Sequence, residues 1–302
     1  MEFKIGNGEV MVLSKSLVEI IKNVGLNPEN LERIARTAIE EDLNGAIDVT
    51  SVATIPDEQF AVAQFQNRNS GVIAGIPILC AVLEVCGVTD YKIEHNDGEF
   101  VVANSLILSA RGKTQALLLA ERSALNFLGH LSGIATMTRS WVDAVAGTGV
   151  SIRDTRKTTP GLRELEKYAV RAGGGVNHRF SLADAALIKD NHVLAAGGVV
   201  EAFELVKAKF PDLPVEVEVD SLAQLREVIN AGAQFVLLDN MSIEECRAAV
   251  EIVAGRAKLE ASGGLILNNA HAYAETGVDY LAVGALTHSA PVLDIGLDLR
   301  ME

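Results

Sequence analysis

The chain has 302 residues, 26 basic and 40 acidic, for a net charge of −14, with 49% hydrophobic and 22% charged residues. That length buries a substantial core in one large domain or two, and the composition excludes a disordered chain. The acidic balance argues against a nucleic-acid binder, which would spread basic charge over one face.

The first ten residues, MEFKIGNGEV, carry no basic segment followed by an apolar core, so no signal peptide is expected. Cys80, Cys86 and Cys246 form neither a Cys-x-x-Cys pair nor a disulfide framework, which makes a reducing, cytoplasmic setting the expectation. Residues 17–24 and 30–43 read as short amphipathic helices, the second capped near Asn27-Pro28. The longest apolar run, 71–88, holds Pro77 and Glu84 and reads as a buried strand, turn and helix, not a membrane span. Alternating runs at 60–65, 91–95 and 105–108 predict an antiparallel sheet. Residues 114–146 form a long helical pattern in which Gly129 and Gly133 mark a break between two helices and two domains.

Beyond residue 146 the rhythm changes. Apolar strands are predicted at 150–152, 185–188, 214–219, 235–238, 258–261 and 280–283, with helices at 199–210, 222–230, 243–253 and 269–276. The last four strands start 21 to 23 residues apart, the length of one strand plus one helix. Ser221 with Gln224 and Ser242 with Glu245 read as capping boxes. Repeated βα units imply a parallel sheet, either an open doubly wound sheet or a barrel. Polar residues follow every strand: Arg153 and Arg156, Lys189 and Asp190, Glu218 and Asp220, Asp239, Ser262-Gly263-Gly264, and Gly284. A polar ring at every C-terminal strand end favours a TIM-like barrel, because an open sheet would cluster its site at one switch point.

The segment Arg153–His192 concentrates eight Lys/Arg against five acids in a chain that otherwise runs the other way. Such a cluster beside Gly-rich turns predicts a pocket for a small, highly charged anion. After Thr155, the adjacent Arg156 and Lys157 face a helix whose cap is expected at Thr159 with Pro160 in its first position, an anion-favouring terminus; the alternative is a pair of solvated loop cations. Gly173-Gly174-Gly175 stops that helix. His178-Arg179 follows it and suits a planar carboxylate, although a lone histidine is more often structural. Lys189 ends an apolar strand as a substrate-contacting cation, a Schiff-base lysine of an aldolase, or one half of a Lys189–Asp190 surface pair. Glu218 and Asp239 end neighbouring strands, where two carboxylates hold Mg²⁺ through water, bind ribose hydroxyls or stabilise a cation; capping of the following helices is the plainer reading. Ser262-Gly263-Gly264 and Gly284 fall where a barrel usually holds a phosphate on backbone N–H groups. The sequence has no zinc-ligand spacing, phosphate-binding P-loop or Gly-x-Ser-x-Gly elbow.

Together these residues resemble the quinolinate phosphoribosyltransferases. The motifs are Glu40-Glu41-Asp42 through Asp48-Val49-Thr50-Ser51, Glu121-Arg122-Ser123-Ala124-Leu125-Asn126, Leu131-Ser132-Gly133-Ile134-Ala135-Thr136, the block from Asp154 to His192, Glu216-Val217-Glu218, Leu238-Asp239-Asn240, Glu260-Ala261-Ser262-Gly263-Gly264 and Val283-Gly284. The resemblance runs from about residue 38 onward and leaves residues 1–15 outside it. It implies an α/β protein with an N-terminal α/β sandwich domain (1–129, with 286–302 packing back on it) and an incomplete TIM-like α/β barrel (130–285) carrying the active site, the type II phosphoribosyltransferase architecture. It implies Mg²⁺-dependent conversion of quinolinate and phosphoribosyl pyrophosphate to nicotinate mononucleotide, pyrophosphate and CO₂ in NAD biosynthesis. It further implies a homodimer or larger assembly with shared active sites, and neither nucleic acid nor membrane as a partner.

Carried onto this chain, the resemblance puts Arg122 of a second subunit with Thr155, Arg156, His178, Arg179 and Lys189 around the quinolinate. Lys157 and His288 meet the pyrophosphate, and Glu218 and Asp239 face the ribose and Mg²⁺. Ser262, Gly263, Gly264 and Gly284 cradle the 5′-phosphate. Lys157, Lys189, Glu218 and Asp239 are the expected catalytic set. The competing readings are the molybdenum-locus relatives that share the fold, a lysine-dependent barrel aldolase, and a catalytically silent anion binder.

Overall fold

Ser14 and Asn27 open the first two helices of the computed structural model, which describes residues 13–301. The reading of the first ten residues lies outside the described residues. Ser14 accepts the Leu17 N–H at the start of α1 (Lys15–Asn23), and Asn27 accepts those of Glu29 and Asn30 at the start of α2 (Pro28–Leu43), with Pro28 in the first turn. These are the orphan donors that such caps satisfy. Then come α3 (Val49–Thr54), β1 (Phe60–Asn67), β2 (Gly71–Val72), α4 (Ile76–Val85), β3 (Asp90–Ile93), β4 (Phe100–Val101) and β5 (Leu106–Lys113). Every residue of α4 is buried, and the Asp97 carboxylate caps it by accepting from Gly75 N (3.0 Å) and Ile76 N (3.1 Å).

The long pattern at 114–146 is one helix, α5 (Thr114–Ala144), unbroken through 31 residues. Gly129 and Gly133 do not end it. An ideal Cβ at Gly133 would lie 2.0 Å from the Pro291 carbonyl oxygen, and one at Gly129 would lie 2.9 Å from that of Leu293. Leu293 N–H also donates to the Gly129 carbonyl (3.0 Å). The two glycines therefore open one face of a continuous helix to the backbone of a returning chain.

The second half contributes β6 (Ser151–Arg153), α6 (Arg163–Ala172), β7 (Ala186–Ile188), α7 (Asp190–Ala196), α8 (Val199–Lys209), β8 (Val215–Val219), α9 (Leu222–Asn230), β9 (Phe235–Asp239), α10 (Ile243–Val253), β10 (Lys258–Ser262), α11 (Leu267–Ala274), β11 (Tyr280–Ala282) and α12 (Ala285–His288). The last strand, β12 (Ile295–Met301), pairs antiparallel with β1 in a four-stranded sheet of order β12-β1-β5-β3. Two compact units result: residues up to Thr136 with those from Pro291 onward, and Met137–Ala290. The division thus falls inside α5, not at a helix break.

In the second unit all six strands run parallel, in the order β6-β11-β10-β9-β8-β7. β6 and β7 end the sheet, and only an isolated bridge between Arg153 and Val176 extends it past β6, so the α/β barrel is incomplete. Ser242 and Glu245 form the reciprocal capping box expected of them. Ser221 accepts from Gln224 N–H, but the Gln224 carboxamide accepts from Asp220 instead. The Thr159 cap is a correction. α6 starts at Arg163, Gly161 turns the chain at φ 85°, and Thr159 N–H donates to Glu166 (3.0 Å), a carboxylate reaching back from inside the helix. Arg156 and Lys157 therefore stand on a loop well before the helix N-terminus. No helix among the described residues is long and apolar enough to cross a membrane.

Gly133→Ala tests the reading of α5. Alanine is the better helix former by about 1 kcal/mol, yet the close approach to Pro291 should make the variant less stable by about 1–3 kcal/mol, the usual cost of overpacking. Denaturant unfolding measures the sign directly, and a stabilised variant would mean that the returning chain exerts no constraint there.

Candidate active site

The C-terminal ends of the six strands open into a cavity of about 710 Å³. Thr155, Arg156 and Lys157 enter it from the loop after β6, and His178 and Arg179 from the segment after α6. Lys189 comes from the end of β7, Glu218 from β8 and Asp239 from β9. Ser262, Gly263 and Gly264 come from β10 and its loop, and Gly284 and His288 from the turn after β11. The cavity thus gathers every residue predicted for the site except Arg122. That side chain lies on α5, 66% exposed, beside Glu121 (4.0 Å).

The cations are poorly matched by acids. Arg156 Nε is buried and meets no acceptor. Arg179 donates to the Ala185 carbonyl (3.1 Å), and burial, then the positive charge of Arg156, pull its pKa below the ordinary arginine value. Lys189 pairs across the pocket with Glu218 (2.7 Å) and not with Asp190, so the surface-pair reading fails. Its backbone N–H donates to His192 Nδ1 (3.0 Å), a fixing contact that the sequence did not reveal.

Glycine opens the opposite wall. Gly263 and Gly264 adopt φ of 87° and 63°, a left-handed region that favours glycine. A Cβ on Gly263 would strike the Asn240 side-chain oxygen at 2.2 Å, while in front of Gly264 nothing lies within 4 Å. A Cβ on Gly284 would meet Lys157 Cδ at 3.1 Å. Backbone is therefore exposed toward the cavity beside Lys157 and His288.

One layer deeper lies a second set of polar groups. His178 Nδ1 accepts from the Arg179 N–H (2.7 Å), so Nε2 carries the ring proton, 2.8 Å from Glu216 Oε2 and 3.5 Å from Glu260 Oε1. Both ring nitrogens are thus engaged within the protein, where a direct carboxylate contact was expected. Glu260 Oε2 takes Arg153 Nη1 (2.6 Å), while Glu260 Oε1 and Arg153 Nε are buried without a hydrogen bond. Burial first, and then the Glu216 charge, push the Glu260 carboxyl up to about 7 against the pull of Arg153 and His178.

Asp154 anchors the segment bearing His178 and Arg179. Its carboxylate accepts from Lys167 Nζ, from Asn177 Nδ2 (2.5 Å) and from His178 N (2.8 Å), and Lys167 also donates to the His178 carbonyl (2.9 Å). Asp154 and Lys167 side chains are both fully buried. Burial raises the Asp154 pKa and lowers that of Lys167, and the pairing opposes both shifts. The motifs for Glu216 and Glu260 were visible but had no assigned role. The available signal was spacing: each stands two residues before a pocket residue, Glu218 or Ser262, and so faces the same side of its strand.

Six parallel strands crowned by unmatched cations, carboxylates and bare glycine backbone define an α/β-barrel enzyme for small, multiply charged anions. Family profiles described as the quinolinate phosphoribosyl transferase N-terminal and C-terminal domains match residues 48–132 and 134–298. The chain belongs to the quinolinate phosphoribosyltransferase family. It is 52% identical over 270 residues to the nicotinate-nucleotide pyrophosphorylase [carboxylating] of Mycobacterium leprae, a match covering 87% of this chain and 95% of that protein. With the probable nicotinate-nucleotide pyrophosphorylase [carboxylating] of Bacillus subtilis it shares 40% identity over 278 residues, 91% of this chain and 96% of that one. The crystal structure of NadC from Streptococcus pyogenes superposes with a TM-score of 0.88 at 38% identity, covering 92% and 99% of the two chains.

Lys167→Met probes the anchor. It strands Asp154 as a buried, unpaired carboxylate, and should cost about 3–5 kcal/mol in an equilibrium unfolding experiment. A loss below about 1 kcal/mol would reduce the contact to the level of an exposed ion pair.

Proposed function

We propose that the chain transfers phosphoribose from phosphoribosyl pyrophosphate to the ring nitrogen of quinolinate and releases CO₂, giving nicotinate mononucleotide and pyrophosphate for NAD biosynthesis. The observation that carries this reading is the buried Arg156 Nε without an acceptor, next to an Arg179 that repels it. A pocket holding such donors calls for a ligand with two negative groups, and quinolinate has two adjacent carboxylates.

Arg156, Arg179 and Lys189 hold those carboxylates, with His178 keeping Arg179 in place through its backbone N–H. Thr155 accepts the Lys157 N–H (3.0 Å) and fixes the turn between the two binding regions. Lys157 and His288 face the pyrophosphate, and Ser262, Gly263, Gly264 and Gly284 receive the 5′-phosphate on the open backbone. Departure of pyrophosphate leaves a ribose with oxocarbenium character, which Glu218 and Asp239 stabilise from neighbouring strands. Their all-oxygen donor set suits a hard cation, so these two carboxylates would hold Mg²⁺ through water. When bound, the ion supplies charge neutralisation for the phosphates. The negative charge that decarboxylation leaves on the ring is met by the surrounding cations. The three cysteines, all free and buried, fit a cytoplasmic setting.

A homodimer or larger assembly completes the site. Arg122 stands exposed on α5, and its guanidinium is available to the quinolinate carboxylates of a second copy.

Protein mixed with quinolinate, phosphoribosyl pyrophosphate and Mg²⁺ should form nicotinate mononucleotide, pyrophosphate and CO₂ in equal amounts. Nicotinate in place of quinolinate should lower kcat/KM by about 10⁴-fold or more, because a site built for a missing group leaves its own charges unmatched. Comparable turnover of nicotinate would rule out the two-carboxylate pocket. Subunit sharing has its own test. Arg122→Ala and Lys157→Ala should each be nearly inactive alone, while their mixed dimers should recover activity at about half of the sites, as an isologous dimer requires. Proven heterodimers without recovery would mean that each chain builds its own complete site.

A further inference from the structure

The barrel interior below the pocket is chemically unusual: Glu216 and Glu260, on β8 and β10, lie within one cluster with His178. Two cavities meet at this cluster. Glu260 lines the upper one, where the substrates are placed, and Glu216 and Arg153 line a second cavity of about 350 Å³; His178 and Arg179 line both. Glu260 is 1% exposed, and its Oε1 has no hydrogen-bond partner while its Oε2 is held by Arg153. A buried carboxylate oxygen left unpaired beside a second carboxylate is a poor place for negative charge and a good place for a proton.

We propose that Glu260 is the acid of the reaction, donating the proton of its Oε1–H to the ring carbon that loses CO₂. This rests on the reaction proposed above. As the C2–carboxylate bond breaks and CO₂ departs, the electron pair left on C2, beside the ribosylated, positively charged nitrogen, takes the Glu260 proton in the same step, so that a C2–H bond forms and Glu260 becomes a carboxylate. It regains a proton from water, which the second cavity admits to the opposite side of the cluster. The groups facing Glu260 fit this cycle. Arg153 from β6 holds the non-reacting oxygen throughout and neutralises the carboxylate product. Glu216 from β8 discourages ionisation before the step, and His178 stands 3.5 Å away with its ring proton committed to Glu216. β11 contributes Tyr280, whose ring packs 4.6 Å from the Arg153 guanidinium, and β9 contributes the uncharged Leu237. Burial and Glu216 place the carboxyl near 7, so the acid form is populated at neutral pH and is lost as the pH rises.

The test follows pyrophosphate and CO₂ separately in rapid-quench single turnovers. In Glu260→Gln, pyrophosphate release should persist while CO₂ and nicotinate mononucleotide form about 10²-fold more slowly or worse, the usual worth of a general acid, and undecarboxylated quinolinate mononucleotide should accumulate. In the wild-type enzyme the rate of CO₂ release relative to pyrophosphate release should fall between about pH 6 and 8, and that limb should be missing from the variant. CO₂ and pyrophosphate leaving the variant in step, at the wild-type rate or equally slowed, would overturn the assignment. If the variant does not fold, the wild-type ratio decides, and a ratio flat across that range rejects the proposal. Wild-type protein that releases no pyrophosphate from quinolinate and phosphoribosyl pyrophosphate would instead sink the underlying reaction.

Discussion

The barrel's active end hangs on one buried carboxylate. Asp154 follows β6 directly and collects Lys167 from α6, the Asn177 side chain and the His178 backbone N–H. Burying a charge is costly unless it is paired and fully hydrogen-bonded, and here three donors converge on it. The geometry follows from that requirement. Because Asp154 must have all three donors, the chain after α6 has to double back beside β6, and Gly175 permits this: a Cβ there would sit 2.8 Å from Val170 and 3.2 Å from the Ile152 carbonyl. Arg179 is thereby delivered to the pocket without support from a regular element of its own. Arg171 adds a further tie by donating to the Asn177 side-chain oxygen Oδ1 (2.8 Å).

Parallel strands then sort charge into two layers. Side chains two residues apart on a strand face the same side, so each inward pair supplies one residue to the pocket and one to the interior beneath it. On β8 the pair is Glu218 above Glu216, and on β10 it is Ser262 above Glu260. Arg153 pairs with Glu260 and the His178 ring hydrogen-bonds Glu216 in the lower layer, whereas in the upper layer Arg156, Lys157 and Arg179 outnumber their acidic partners. A chain of net charge −14 repels anionic substrates at long range, so recognition depends on this local reversal of sign and on its enclosure.

Much of this was legible because strong local signals agreed with the fold. Each of the six barrel strands lies within two residues of its sequence reading, and Ser221 and Ser242 cap the helices they were assigned. Failures occurred where a local signal has more than one cause. Glycine in a helix looks the same whether it ends the helix or admits another backbone, and for Gly129 and Gly133 the deciding residues, 291–293, lie more than 150 positions away. Thr159-Pro160 resembles a helix start, but Gly161 overrides it through its backbone angle. Lys167 was one of the eight cations of the 153–192 cluster with no role of its own, and its burial against Asp154, 13 residues away, depends on the fold. Glu216 and Glu260 needed the cross-strand register, because each has a meaning only beside the other.

The same layering explains why the site can be both strained and stable. Unmatched cations in the pocket and a crowded carboxylate pair below it each oppose folding, but they occupy the axis of a sheet whose flanking residues Ile152, Val217, Val236, Leu238 and Leu281 are almost wholly buried. Apolar burial of that kind contributes roughly 1.5–3 kcal/mol per large side chain, enough for a few such residues to offset the electrostatic cost of the site. The electrostatic defect is also the part that ligand can remove, since an anion bound only to the folded state adds stability that grows with the logarithm of its concentration relative to Kd. Affinity for the anionic substrates and the instability of the empty pocket are therefore two expressions of one charge distribution, and neutralising the cations to stabilise the protein would weaken binding by the same physics.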